Sequence, residues 1–119
     1  MKIALTQTKE LDFQTEAEGI VASMRLSTEA GSYAQLDLYR EDITGEGDVE
    51  WGAQLSHLFV PAAARRQGEA KALVKAALAA VKDCWDEETL VVFAEPEHDK
   101  VMSREDLINF YTKCGLEVR

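Results

Sequence analysis

The sequence predicts a single mixed α/β domain in which strands come first and a helix, a strand and a second helix follow. Three observations predict this class. Alternating apolar and polar residues mark strands in the N-terminal half, apolar residues at helical spacing mark two helices in the C-terminal half, and a short continuous apolar run separates those helices. At 119 residues the chain can build one hydrophobic core but not two, so we expect residues 1–119 to form one domain.

The N-terminal half contains most of the predicted strands. Residues 2–6 can form a short first strand. Residues 20–26 and 34–38 alternate apolar and polar side chains, and the glycine-containing segment TEAGS between them predicts a hairpin with a five-residue loop. After a polar loop, EDITGEGDVE, residues 53–60 form a third long strand, which Pro61 ends.

The C-terminal half contains two helix patterns with a strand pattern between them. Residues 69–83 carry apolar side chains along one helical face, and the run LVVFA at residues 90–94 predicts a central strand covered on both faces. Ser103, followed three residues later by Asp106, resembles a capping box and predicts the start of a second helix. Gly115 follows the apolar stripe of that helix, where a left-handed C-cap belongs.

The charge and cysteine content exclude some classes of function. The net charge of −9, from 13 basic and 22 acidic residues, argues against nucleic-acid binding, which needs a cationic surface, and would suit a cationic partner or solubility alone. No apolar run approaches the roughly 20 residues that span a bilayer and no signal-peptide pattern opens the chain, so we expect a cytoplasmic protein without a membrane segment. Cys84 and Cys114 lie in no metal-binding spacing, and we expect free thiols.

A cationic segment interrupts the acidic sequence between the third long strand and the first helix. Residues 1–60 carry 4 basic and 11 acidic side chains, whereas residues 61–75 carry 4 basic side chains and 1 acidic one. Backbone N–H groups at a helix start carry the positive end of the helix dipole, and Gly68 would let a ligand approach the backbone closely. The segment therefore predicts a pyrophosphate site, although its spacing is neither that of a P-loop nor that of the dinucleotide fingerprint.

Two motifs resemble the signatures of the GNAT N-acetyltransferase superfamily. The segment RRQGEA at residues 65–70, which follows the strand end LFVP at residues 58–61, resembles the R/Q-x-x-G-x-G/A signature. The segment FYTKCGL at residues 110–116 resembles the second signature, in which an aromatic or aliphatic residue and a tyrosine are followed by three residues, a glycine, and then Phe or Leu. The two motifs occur in the expected order with the LVVFA strand between them, and the resemblance covers roughly residues 53–117.

This resemblance implies a fold, an activity and a set of site residues. The fold would be a mixed, largely antiparallel sheet with helices packed on it, and the activity would be acetyl-CoA-dependent N-acetyl transfer to a primary amine of a small molecule or protein. Tyr111 would act as general acid on the departing CoA thiolate while the amine attacks the thioester directly. The residues that would bind acetyl-CoA, through the strand end and the phosphate loop, are Leu58, Phe59, Val60, Arg65, Arg66, Gln67, Gly68, Glu69, Ala70 and Lys71.

The sequence departs from the superfamily in the half that would bind the amine. Gln54 stands where several branches carry a glutamate that acts as general base. Strict alternation places His57 on the opposite strand face from Gln54, so we expect His57 to pack or to lie at the surface. Residues 6–19 are too short for the two helices that normally shape the amine site, and the family usually continues beyond Arg119 into further strands.

Two classes of function are therefore consistent with the sequence. One is an acetyltransferase acting on an accessible amine, for which the acidic N-terminal half favours a cationic acceptor. An exposed sheet edge favours pairing, so a homodimer could complete the acceptor site. The alternative is a catalytically reduced family member that binds CoA or a protein partner without turnover, in which Tyr111 would be only a packed core tyrosine.

Overall fold

A computed structural model describes residues 2–9, 19–42, 45–46, 48–65, 68–93 and 103–119. Six strands and two α-helices lie within these ranges. In chain order they are β1 (Ile3–Lys9), β2 (Gly19–Thr28), β3 (Tyr33–Asp42), β4 (Val49–Phe59), α1 (Glu69–Trp85), β5 (Leu90–Val92), α2 (Arg104–Lys113) and β6 (Glu117–Val118). A short 3₁₀ turn, Ala62–Ala64, follows β4.

The described strands form one mixed, largely antiparallel sheet, which confirms the predicted fold class. Their spatial order equals their chain order, with β1 to β4 antiparallel and β4, β5 and β6 parallel to one another. α1 connects β4 to β5, and α2 connects β5 to β6. Crossovers between parallel strands are right-handed, and because both of these run in the same direction across the sheet, the two helices lie on the same face. A Cβ on Gly115, just after α2, would lie 4.0 Å from the Leu78 side chain of α1, so the two helices are neighbours.

The main hydrophobic core lies between the sheet and α1, which packs across β2, β3 and β4. The helix contributes its predicted apolar stripe, and the sheet contributes residues from its central strands. Burying one such side chain stabilises the fold by about 1.5–3 kcal/mol, which makes this layer the main source of stability. The fully buried members include Met24, Leu36, Leu73, Val74, Ala77, Val81 and Leu90.

The predicted hairpin is confirmed, but its loop has four residues instead of the predicted five because β2 extends to Thr28. The turn spans residues 29–32, with Gly31 at a φ of 92° in the left-handed region. Two backbone hydrogen bonds close it, from Thr28 N to Ser32 O at 2.9 Å and from Gly31 N to Thr28 O at 3.1 Å. β4 begins at Val49, four residues before its predicted start, because it pairs with the extended end of β3.

The predicted central strand is shorter than the LVVFA run. Leu90, Val91 and Val92 are buried on both faces as expected, and these three residues form β5. The prediction is wrong for Phe93, which is 54% exposed, and Ala94 lies outside the described residues. β5 ends at Val92, and its pairing with β6 also ends there, with Val92 opposite Val118.

Both ends of α2 follow their predicted capping patterns. Ser103 Oγ accepts a hydrogen bond from Asp106 N at 3.1 Å, as an N-cap does. Gly115 adopts a φ of 92°, Leu116 N donates to Tyr111 O at 3.1 Å, and Gly115 N donates to the carbonyl two residues before the C-cap, which together make a Schellman motif. Cys84 and Cys114 are free thiols. Among the described helices, none is long and apolar enough to cross a bilayer.

Candidate functional site

β4 separates from β5 at the end of the sheet where α1 begins. The two strands pair at three positions, from Ala53 opposite Leu90 to Leu55 opposite Val92. β4 then continues to Phe59, so within the described chain β5 supplies no partner for residues 56–59. An open strand edge of this kind offers N–H and C=O groups to an extended ligand.

A β-bulge at Ser56 explains why β4 turns away here. Gln35 of β3 pairs with His57, and the next residue, Leu36, pairs with Leu55, which leaves Ser56 as an extra residue on β4. Its hydroxyl donates to Gln35 O at 3.2 Å. A bulge bends its strand and increases its twist, so this single inserted residue separates the end of β4 from the direction of β5.

The bulge also corrects one prediction about the strand. Directly paired residues share a sheet face, and the partners of His57 and Gln54 are Gln35 and Asp37, which lie on the same face of β3. His57 and Gln54 therefore share a face, and the expectation that they lie on opposite faces is wrong. The expected surface position of His57 is confirmed, because its side chain is exposed.

The first turn of α1 is left without a side-chain cap. Gly68 is the N-cap residue, with φ 78° in the left-handed region, and as a glycine it has no side chain that could accept a hydrogen bond from the N–H groups that follow. The first intrahelical bond runs from Ala72 N to Gly68 O at 3.0 Å. The N–H groups of Glu69, Ala70 and Lys71 thus precede the helical ladder, and they form the positive end of the helix dipole.

No atom of the described residues crowds this helix start. Gly68 is exposed, and a Cβ built on it would meet no other atom within 4 Å. Nine residues separate the end of β4 from the start of α1. An open strand edge and an uncapped helix start therefore lie at the same end of the sheet, and together they can hold a molecule with an amide-containing arm and an anionic group.

Comparison with protein-family models assigns the chain to a family. A model described as an acetyltransferase (GNAT) domain matches residues 6–115. The chain belongs to the GNAT acetyltransferase family. The match extends the resemblance seen at residues 53–117 through β2 and β3 and into β1. No curated protein and no solved structure matches the chain.

In this GNAT domain the strand-end residues differ in their surroundings. Leu58 is half-buried and packs against the main core, opposite Ala34 of β3. Phe59 is 37% exposed, and its ring centroid lies 5.7 Å from that of Tyr33. Val60 lies just beyond β4, so the strand ends one residue earlier than predicted.

Arg65 holds the loop of the GNAT signature in place. Its side chain is half-buried, and Nε donates to Val60 O at 3.2 Å, which ties the loop to the end of β4. Arg66 and Gln67, which the sequence also assigns to phosphate binding, lie outside the described residues. Lys71 is exposed on α1.

The cationic side chains of α1 extend toward the end of α2. Burial raises the pKa of the Cys114 thiol, and the positive charges of Lys71 and Lys75 oppose that rise. Both lysines therefore lie close enough to the C-terminal end of α2 to act on the Cys114 thiol.

The side chain of Glu69 points away from the open end of α1 and is buried. The sequence groups this residue with the phosphate loop, but its side chain is 7% exposed and accepts a hydrogen bond from Ser32 Oγ. The carboxylate is thus bound to the hairpin turn. Sequence analysis missed this role of Ser32, since the two residues are 37 positions apart and neither carries a local pattern that joins them.

Tyr111 lies in the main core of the GNAT domain. It is 8% exposed, and its ring makes an edge-to-face contact with Phe110 at a centroid distance of 5.4 Å. α2 carries it on the same sheet face as α1. Glu50, which could substitute for a base at Gln54, is separated from the open edge because it precedes Ser56 by six strand residues, about 20 Å. Glu95, the other carboxylate that could substitute, lies outside the described residues.

A cavity of about 530 Å³ lies at the other end of α1, away from the GNAT signature. Glu87 lines this cavity. Its pKa is raised mainly by burial and, to a smaller extent, by the neighbouring carboxylate of Asp86. The described residues contain no group of His, Cys, Asp and Glu side chains arranged to hold a metal ion. The other lining residues are Leu38, Trp51, Asp83, Cys84 and Trp85.

Proposed function

We propose that the protein is an N-acetyltransferase that transfers the acetyl group of acetyl-CoA to a primary amine. One observation carries the proposal: the open edge of β4 at residues 56–59 and the uncapped start of α1 lie at the same end of the sheet. Acetyl-CoA joins an amide-containing pantetheine arm to a pyrophosphate, which are the two chemical groups that such a strand edge and helix start bind. Membership of the GNAT family supports an acetyltransferase-type activity.

The proposed contacts divide between these two elements. The backbone of Leu58, Phe59 and Val60 would bind the pantetheine arm as an added strand does. The backbone N–H groups at the start of α1 would bind the pyrophosphate, with Gly68 allowing close approach and the cationic side chains adding attraction. The residues assigned to the pyrophosphate are Arg65, Arg66, Gln67, Gly68, Glu69, Ala70 and Lys71.

The chemical step would depend on one side chain and on positioning. Bound acetyl-CoA supplies the thioester, and a neutral amine held against its carbonyl carbon displaces the thiolate. Tyr111 would donate its phenolic proton to that thiolate, a transfer for which a phenol is suited because its ordinary pKa of about 10 is close to that of a thiol. Gln54 cannot take the proton of the amine, so we infer that this proton leaves through water beside Ser56.

Thermal unfolding with and without acetyl-CoA tests the binding half of the proposal. Ligand at about 100 times its Kd stabilises a fold by roughly 2.7 kcal/mol. With an unfolding entropy of about 2.1 cal/mol/K per residue, that free energy raises Tm by about 10 °C in a domain of this size. Acetyl-pantetheine, which lacks the pyrophosphate, should give a much smaller rise, and no rise with millimolar acetyl-CoA would contradict the proposal.

A second candidate is a CoA-binding protein without turnover. The glutamine at position 54 and the burial of Tyr111 favour it, because the first cannot act as a base and the second packs as a core residue does. Release of free CoA thiol in the presence of a panel of cationic amines separates the two candidates. Binding without amine-dependent thiol release would identify the non-catalytic protein.

We also propose that two copies pair along β1. This strand forms one edge of the described sheet, its residues 4–8 are exposed, and it carries no charge between Ile3 and Thr8. Uncharged exposed edges favour strand pairing between chains. Sedimentation velocity should show a dimer that Leu5→Lys dissociates, whereas a monomer at all protein concentrations would refute this pairing.

A further inference from the structure

Two buried polar side chains join the β2–β3 turn to the first residue of α1. Ser32, the last residue of the turn, is 0% exposed, and Glu69 is 7% exposed. Ser32 Oγ donates a hydrogen bond to Glu69 Oε2. A buried carboxylate is costly unless it is hydrogen-bonded, so the position of Ser32 restricts where α1 can begin.

The same turn also contacts the start of the loop that leads into α1. A Cβ on Gly31 would lie 3.7 Å from Pro61 Cγ, which is ordinary van der Waals contact. Consecutive residues of one turn therefore lie beside both ends of the loop: Gly31 lies close to Pro61, and Ser32 is hydrogen-bonded to Glu69. The backbone hydrogen bonds that close the turn at Thr28 hold these two contacts at a fixed separation.

Strand pairing ties this turn to the open edge as well. Tyr33 and Ala34, which follow the turn, pair with Phe59 and Leu58 of β4. The turn thus belongs to the same rigid hairpin that supports the end of β4. An element fixed in this way can set the distance between the strand edge and the helix start.

We propose that residues 29–32 form a support that positions the loop for acyl-CoA, with Ser32 and the Glu69 side chain as positioning residues. Neither side chain touches the ligand. Their hydrogen bond orients the first turn of α1, and with it the three N–H groups that precede the helical ladder. This inference rests on the proposed function, because the ligand it concerns is the acyl-CoA of the same site.

Ser32→Ala tests the inference by removing the donor and leaving the carboxylate without its partner. We expect the Kd for acetyl-CoA to rise about tenfold, since a buried carboxylate that loses its partner turns toward solvent and displaces the helix start. The matched control is Val81→Ala, a fully buried position on the same helix and far from the loop. It should lower Tm while the Kd stays within about twofold of wild type. Calorimetry is run at a temperature at which both variants are fully folded.

Hydrogen exchange supplies a readout that does not need the ligand. Protection at Ala72 N, the first amide of the helical ladder, should fall in Ser32→Ala and stay unchanged in Val81→Ala at equal folded fraction. If Ser32→Ala does not fold, Ser32→Cys, which keeps a weak donor at similar volume, should show about threefold weaker binding and a smaller loss of protection.

The two readouts separate the failure of this inference from the failure of the proposed function. If a folded Ser32 variant keeps the wild-type Kd for acetyl-CoA and the wild-type protection at Ala72 N, the positioning role is overturned, and the proposed function is not affected. A wild-type protein that does not bind acetyl-CoA would overturn the proposed function and the ligand named here. A loss of Ala72 protection would then support only the link between the turn and α1.

Discussion

Replacing Gly68 with alanine should lower stability and weaken acetyl-CoA binding for two separate reasons. Gly68 has a φ of 78°, and a residue with a Cβ pays roughly 1–2 kcal/mol in that left-handed conformation. Alanine also makes the unfolded chain less flexible than glycine does, which offsets about 0.4–1 kcal/mol of this cost and leaves a net loss of about 1 kcal/mol in the free energy of unfolding. At about 2.1 cal/mol/K per residue this lowers Tm by about 4 °C. The added methyl group meets no protein atom within 4 Å, so any effect on binding comes from the space it takes from the ligand.

Gly45 provides a matched control for this substitution. It has a φ of 75°, is exposed, and would place a Cβ with nothing within 4 Å, but it lies between β3 and β4 at the opposite end of the sheet. Gly45→Ala should therefore lose about the same 4 °C in Tm while its Kd for acetyl-CoA stays at the wild-type value. Circular dichroism melts measure Tm. Titration calorimetry measures the Kd at roughly 15–20 °C, close to the temperature of maximum stability, where the variants are folded.

The expected effects of Gly68→Ala on ligand binding and on stability can be refuted separately. If both alanine variants bind acetyl-CoA as the wild type does, the pyrophosphate does not approach Gly68. If Gly68→Ala melts at the wild-type temperature, the left-handed conformation does not carry the expected cost.

Three further predictions concern other parts of the molecule. Tyr111→Phe should lower the rate of acetyl transfer by about 10²–10⁴-fold with an unchanged Kd for acetyl-CoA, and an unchanged rate of thiol release would refute its role as acid. Gly52→Ala should lower the free energy of unfolding by about 1–3 kcal/mol in urea denaturation, because its Cβ would overlap the Tyr39 ring. Adding Tyr39→Ala should not lower the free energy of unfolding further, and fully additive losses would contradict the overlap. Burial and then Asp86 raise the pKa of Glu87 in the folded protein, so the stability this group gives at low pH is lost as pH rises through that pKa. Glu87→Gln should therefore raise Tm at pH 7 but not at pH 3, and an equal rise at both would show that charge is not the cause.

The features that the sequence predicts correctly depend on neighbouring residues. The hairpin around Gly31 and both ends of α2 follow from short patterns whose hydrogen bonds stay within a few residues. The GNAT loop was recognisable for the same reason, because its signature is contiguous. Membership of the family, now supported by a match over residues 6–115, confirms that local signal.

The features that the sequence does not predict depend on partners far along the chain. The bulge at Ser56 exists only relative to β3, and apolar–polar alternation carries no mark of it. The end of β5 at Val92 coincides with the end of its pairing with β6, a two-residue strand that is too short to show an apolar–polar period. The burial of Glu69 depends on Ser32, and a charged residue in a polar loop gives no sign of such a partner.

The bulge at Ser56 also means that one inserted residue produces the opening between β4 and β5. Without Ser56, each flanking residue would keep its present partner, from Leu55 opposite Leu36 to Phe59 opposite Tyr33, and the ladder would run without interruption. The inward and outward side chains would stay as they are, so a single-codon deletion would spare the core while straightening the strand. The opening can therefore be gained or lost in one genetic step, without the many compensating substitutions that a change of fold requires.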